Sequence, residues 1–314
     1  MVDFITEPDN TQENEFDKYF IEEIVPRIEY ANKVKDKYRS RFWGYLWTVV
    51  FLMSTNCLVV LFNALIKNGP CNFEQLILIN VIAVLLVFLP VYSYYRAPKE
   101  DIFSEFLKFY GNWQHTRNGD IKLVHSPIIP KHDSVGATHS IEGNFADTKV
   151  QIRDTYYKKR LLLKNLKWYR TVSKGVIVYV TFPSEFSGKL LLFDKSGFYR
   201  KNKFPELINI GSEIEIPAAN YFKIYTNNKD SAKSILVSLF FEKMLDLKDV
   251  FGAHSVYVEM NGNFMRVYLE NSTLYFDNYK LWSKKIDKES FLKLDKKFQQ
   301  TYDFVQMVKV LIAQ

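Results

Sequence analysis

The sequence predicts an α+β protein in which a two-helix transmembrane hairpin precedes a mainly antiparallel β domain with two packed helices. Three observations carry this. Phe42 to Ile66 and Leu76 to Tyr95 are apolar runs without a charged residue, each near the ~20 residues that cross a hydrocarbon core of about 30 Å as a helix. Aromatic residues make up 16% of the chain, with 26 Phe and 20 Tyr, and aromatic side chains fit a pleated surface. From Ile121 onward, short apolar or alternating runs recur between turn residues, which is the strand pattern.

These signals divide the 314 residues into four parts. Residues 1–41 form a tail and an amphipathic juxtamembrane helix, and 42–95 form the hairpin. Residues 96–120 hold a helix leaving the membrane, and 121–314 form a cytoplasmic α+β domain.

In the first part, Phe16, Phe20, Ile24, Ile28, Ala31, Val34 and Tyr38 recur at steps of three and four, the mark of a helix with one apolar face. Pro26 inside that pattern is expected to kink or split it. Lys33, Lys35, Lys37, Arg39 and Arg41 then stand against the single acid Asp36, and Arg96 and Lys99 follow the second run. Lys and Arg excess marks the cytoplasmic flank of a span, so both termini are expected there. The same cations can bind anionic headgroups at about 1 kcal/mol each. Within the runs, Asn56, Asn63 and Asn80 are expected to bond between helices rather than line a pathway, because two charge-free spans make a poor conduit. Pro90 should bend the second span. Trp43, Tyr45 and Trp47, with Tyr92, Tyr94 and Tyr95, form the expected interfacial belt. A further helix is expected over Glu100 to Trp113, pairing with Phe16 to Tyr38.

In the last part, strands are expected at Ile121–His125, Lys149–Arg153, Gly175–Phe182, Lys189–Phe193, Tyr221–Tyr225, Ser255–Met260, Phe264–Leu269 and Thr273–Phe276. Asn261-Gly262 predicts a two-residue hairpin, and Glu142-Gly143 and Ser196-Gly197 predict further turns. Helical spacing marks Lys229 to Leu247 and Glu289 to Ile312.

The order of Glu23-Ile24-Val25-Pro26, Ser140-Ile141-Glu142-Gly143, Phe186-Ser187-Gly188 and Tyr221-Phe222-Lys223-Ile224-Tyr225 resembles domain-of-unknown-function family 3137, a bacterial membrane-anchored family. The resemblance implies two transmembrane helices followed by a strand-rich cytoplasmic domain at the bacterial inner membrane. It implies no catalytic residues.

Chemistry-bearing motifs are sparse. No GxxxxGK[ST], GxGxxG or G-x-S-x-G occurs among only 12 glycines, which speaks against a phosphate loop or a serine nucleophile elbow. Cys57 lies in the first apolar run and Cys71 in the link, so no disulfide framework is expected. His115, His125, His132 and His139 lack the close spacing of a metal pair, and neither a metal nor a cofactor is expected. Tyr156 to Arg170 interleaves Lys158, Lys159, Arg160, Lys164, Lys167 and Arg170 with Tyr156, Tyr157, Trp168 and Tyr169. Such a stretch suits nucleic acid, an anionic membrane, or a solvated helix face with aromatics packed inward. With a net charge of +7 spread along the chain, lipid is favoured over nucleic acid.

The resulting expectation is a membrane-anchored binding or scaffolding module whose partner is a protein or anionic lipid. The expected anionic-surface residues are Lys33, Lys35, Lys37, Arg39, Arg41, Lys158, Lys159, Arg160, Lys164, Lys167 and Arg170. The alternative is an enzyme acting on a membrane-proximal substrate, with the His115 to His139 region as its site.

Overall fold

A computed structural model describes residues 10–66, 73–96, 102–117, 126–163, 166–197, 204–274, 281–283 and 285–314. The chain forms two compact units, Met1–Glu105 with Asp277–Asp287, and Phe106–Phe276 with Lys288–Gln314.

In the first unit, α1 (Asn10–Tyr19) runs through a π-helical turn, Phe20–Ile24, into the 42-residue α2 (Val25–Ile66). Pro26 therefore does not split the helix. A proline lacks the N–H for a bond four residues back and crowds that carbonyl. Here the turn just before it widens, with Val25 N–H donating to Phe20 O five residues back, and the helix continues. The apolar stripe Phe16, Phe20, Ile24 and Ile28 is buried as its spacing predicts.

α2 carries the second half of the amphipathic stretch and the first apolar run as one helix. The second run is α3 (Phe73–Val87) and α4 (Leu89–Arg96). Between them Phe88 N–H turns back to Leu85 O (3.1 Å), the local break expected around Pro90. Val49, Ala83 and Val87 pack together with Phe42 and Leu46. Asn56 Nδ2 donates to Asn80 Oδ1 at 3.0 Å, the interhelical amide bond that these residue types predict. Stretches of both helices, Glu15–Phe62 and Ile77–Arg96, are long and apolar enough to cross a membrane by length and composition.

Residues 281–283 and Ile286 close the first unit by gripping one face of α2. The Asn32 side chain both donates to Ile286 O (2.9 Å) and accepts from Ile286 N–H (3.1 Å). Lys35 Nζ donates to Ser283 Oγ at 2.8 Å and Arg39 Nε to Leu281 O at 2.6 Å. Trp282 meets Phe42 edge-on at 4.9 Å. Positions 32, 35, 39 and 42 follow one another at steps of three and four, so the strap lies along a single helix face.

The second unit is α+β with an antiparallel sheet. Its strands are β1 (Gln114–Arg117), β2 (Ser134–Phe145), β3 (Thr148–Leu163), β4 (Leu166–Asp194), β5 (Ile208–Asn209), β6 (Phe222–Thr226) and β7 (Ser255–Glu270). The order is β1-β2-β3-β4-β6-β5, and β7 pairs with β4. Several expectations are corrected here. The runs Gly175–Phe182 and Lys189–Phe193 belong to one 29-residue strand, β4. Asn261-Gly262 is not a hairpin: β7 passes straight through it, and Asn261 and Gly262 lie opposite Lys189 and Phe186 where the register slips. Gly262 (φ 57) supplies the left-handed residue of that bulge. Glu142-Gly143 lies inside β2, and the turn falls instead at Ala146, with φ 54. Thr273 and Leu274 lie outside any strand. The expected strand Ile121–His125 falls outside the described residues.

Helices α6 (Lys229–Ile235), α7 (Ser238–Val250) and α8 (Lys288–Ala313) follow. The single helix expected over Lys229–Leu247 breaks at Leu236 and Val237. Similarly, α5 (Ile102–Phe109) ends before the expected Trp113. Strand alternation builds a core on each side of the sheet. Leu190 and Leu192 share a face with Phe222 and Ile224, and that face meets the helices through Phe222–Phe241, while Phe240–Phe304 joins α7 to α8. Leu191 and Phe193 point the other way, into a cluster with Tyr157, Ile177, Tyr257, Tyr268 and the loop residues Ile128 and Ile129.

Candidate functional site

The ribbon of β3 and β4 outruns its neighbours. β2 leaves β3 at the pair Ser134↔Lys158, and β7 leaves β4 at Glu270↔Gly175. Beyond them β3 and β4 pair only with each other, through Lys159↔Arg170, Arg160↔Tyr169 and Leu161↔Trp168 to Leu163↔Leu166. Directly opposed residues share a face. Lys159, Leu161, Trp168 and Arg170 therefore lie on one side of this arm, and Arg160 and Tyr169 on the other. Trp168 is 62% exposed, Tyr169 50% and Leu161 40%. The root is fixed by Asp133, whose N–H donates to Lys158 O at 2.9 Å while its Oδ2 accepts from Arg160 N–H at 2.7 Å. Tyr157 points inward and is buried, whereas Lys158 Nζ sits 4.8 Å over the Tyr156 ring. The stretch is thus neither a helix nor a face with all its aromatics packed. Lys164 and the side chain of Lys167 lie outside the described residues.

The basic run on α2 is divided. Lys35 is buried on Ser283 and Arg39 reaches Leu281, so both are held within the protein. Lys33, Lys37 and Arg41, at steps of four, are exposed along the opposite side. Arg41 also stacks over Tyr38 at 5.8 Å.

The histidines separate. β1–β2 pairing brings His115 Nε2 to 3.1 Å from His139 Nδ1, with the rings stacked, although they are 24 positions apart. His132 Nδ1 turns back to Pro130 O at 2.8 Å, and His125 is outside the described residues. Among the described residues no group of three His, Cys, Asp or Glu could hold a metal ion.

Behind Ile128 and Ile129 lies a narrow cleft lined by Phe193, Tyr257, Tyr268 and Glu270, with room for about one water molecule. Its polar groups satisfy one another: Tyr257 donates to Glu270 at 2.9 Å, and Tyr268 and Ser173 hydroxyls meet at 2.6 Å. Burial pushes the Tyr157 and Tyr268 phenols well above their usual range, so they remain neutral packing groups. At the end of β4, burial pushes the Asp194 carboxyl up. Its bonds with Lys248 Nζ (2.7 Å) and with Ser196 outweigh that and hold it below the usual carboxylate range. These contacts tie the end of β4 to α7.

Residues 171–310 match the profile of a protein of unknown function, DUF3137. That is the family which the residue order resembles. The DUF3137 match begins at Thr171, where the arm joins the sheet, and ends at Val310 in α8. The crystal structure of the mycobacterial trehalose monomycolate transport factor A, TtfA, is similar at 12% identity. The alignment covers 65% of this chain and 92% of that one, with a TM-score of 0.37. No curated protein matches.

The apolar part of the arm is what sequence reasoning missed. The run Leu161-Leu162-Leu163 was legible, but the cations and aromatics beside it drew the reading. Trp282 and Ser283 carried no signal at all, because a strap is recognised only by what it grips.

Proposed function

We propose that this chain is a membrane-anchored binding or scaffolding module. In this reading α2 and α3–α4 cross the bacterial inner membrane as a hairpin, and both termini are cytoplasmic. The carrying observation is the outward apolar surface of these helices. Phe51, Leu58, Leu61, Phe62 and Leu65 on α2, with Ile77, Leu85 and Phe88 on the return, are exposed, Leu65 to 81%. A soluble protein rarely leaves a contiguous apolar patch beyond a few hundred Å² uncovered, and lipid is the cover that suits two such helices. The ends agree. Trp43, Tyr45 and Trp47 on α2 and Tyr92 and Tyr95 on α4 are exposed, as side chains at headgroup depth are. Lys33, Lys37 and Arg41 present cations at that same end of α2, where an anionic leaflet attracts them by about 1 kcal/mol each.

Resistance to extraction by alkaline carbonate tests the anchor, and a fluorescent-protein fusion after Gln314 tests the topology. The expected result is a pellet-bound, fluorescent fusion. Release into the supernatant would overturn the anchor. A fusion reporter active only outside the cytoplasm would overturn the orientation.

A further inference from the structure

We propose that the β3–β4 arm is a lipid-contacting finger, whose exposed Leu161 and Trp168 enter the headgroup region of an anionic phospholipid leaflet while the cations around them hold the headgroups. The inference rests on the membrane-anchored reading and adds a second, independent point of lipid contact.

Charge is the first argument. Residues 155–172 contain Lys158, Lys159, Arg160, Lys164, Lys167 and Arg170 and no Asp or Glu. Of the two acids bonded near its root, Asp154 is buried and accepts from Leu274 N–H, while Asp133 is exposed and accepts from Arg160 N–H. The second argument is the order along the arm. Lys158, Lys159, Arg160 and Arg170 occupy the root, the pair Leu161↔Trp168 lies farther out, and the ladder continues through Leu162↔Lys167 to Leu163↔Leu166. An exposed Trp and Leu set among cations is what a leaflet takes, with Trp and Tyr at headgroup level and long cationic stems reaching toward phosphate. A strand recruiting single-stranded nucleic acid would instead spread its aromatics along a continuous cationic groove.

Edge protection is the competing explanation, because lysines on unpaired strand edges discourage sheet-to-sheet aggregation. That accounts for Lys159 and Arg160. It gives no reason for Trp168 to be 62% exposed opposite Leu161, itself 40% exposed.

The test uses the full chain carrying Cys57→Ser and Cys71→Ser, with Leu161→Cys labelled by a polarity-sensitive dye. The protein is reconstituted into vesicles of phosphatidylcholine alone, or of phosphatidylcholine and phosphatidylglycerol in equal amounts. Co-flotation with the vesicles reports the anchor, and dye emission reports the arm, so the two readings fail separately. In the anionic vesicles the emission should shift to the blue and be quenched by nitroxide lipids. In neutral vesicles both effects should be weak. Lys159→Glu, Arg160→Glu and Arg170→Glu should reduce the inserted fraction by about fivefold for each cation removed, and Trp168→Ala should reduce it with the cations intact. An arm equally accessible to aqueous iodide in both vesicle types, or one indifferent to the charge reversals, would overturn the proposal. So would equal insertion into neutral lipid, or a dye response confined to added oligonucleotide.

Discussion

The two basic stretches of this chain resemble each other in composition and differ in what becomes of their charges. On α2, five cations are sorted by the helical period: Lys35 and Arg39 face the strap at 281–283, while Lys33, Lys37 and Arg41 face outward. On the β3–β4 arm, the period of two places residues on two faces that are both open, so Lys159, Arg160 and Arg170 all remain exposed. A run of Lys and Arg is therefore not one kind of feature. Its meaning depends on the periodicity of the element and on whether anything covers one side.

The largest expected effect calibrates a fully engaged cation. Lys248→Ala leaves the buried Asp194 without its ion-pair partner and should cost about 3 kcal/mol, read as a loss of thermal stability of the full chain in detergent. The pH dependence follows from the same pair. Because the folded Asp194 carboxyl titrates below its ordinary value, its contribution is fully present above the unfolded pKa of about 3.9. It is lost as pH falls through the folded value. The wild-type chain should lose stability more steeply below about pH 4 than Asp194→Asn does; equal slopes would mean that Asp194 is not the group responsible.

Next is Lys35→Ala, which removes a charged donor from Ser283 at a buried position and should cost about 2 kcal/mol. Lys37→Ala, two residues along, should stay within about 0.5 kcal/mol. Equal melting shifts for the pair would erase the distinction between the two sides of α2. Asn56→Ala should cost about 0.6–2 kcal/mol by removing the amide bond to Asn80, measured by resistance to unfolding in mixed micelles. The smallest effect is expected on the arm, where Lys159→Ala should change stability by no more than about 0.5 kcal/mol. A larger loss would show that the arm's root is a structural element and not an open surface.

Much of this architecture is legible in the sequence because it is local. The apolar runs, the stripe from Phe16 to Ile28 and the helix at Lys288–Ala313 follow from spacing alone. What escaped depends on partners far away in the chain. Asn261-Gly262 has the chemistry of a hairpin turn, yet β7 has a partner already bent at Phe186–Lys189, and pairing with that bend outweighs the local preference. His115 and His139 meet only because β1 lies beside β2 in one register. The division of Lys33–Arg41 into engaged and open cations depends on residues some 240 positions later, a separation visible in the Arg39–Leu281 bond.

The strap also governs how this protein can be taken apart. Leaving β7, the chain visits the first unit at Asp277–Asp287 and returns at Lys288 to build α8. No single cut yields the second unit whole: a fragment beginning at Phe106 keeps residues 281–286 but loses Asn32, Lys35, Arg39 and Phe42, leaving Trp282 without its aromatic neighbour. The severed stretch from Asn32 to Phe42 then becomes a ligand in its own right, and a synthetic helix of that sequence should rebind the fragment and raise its melting temperature.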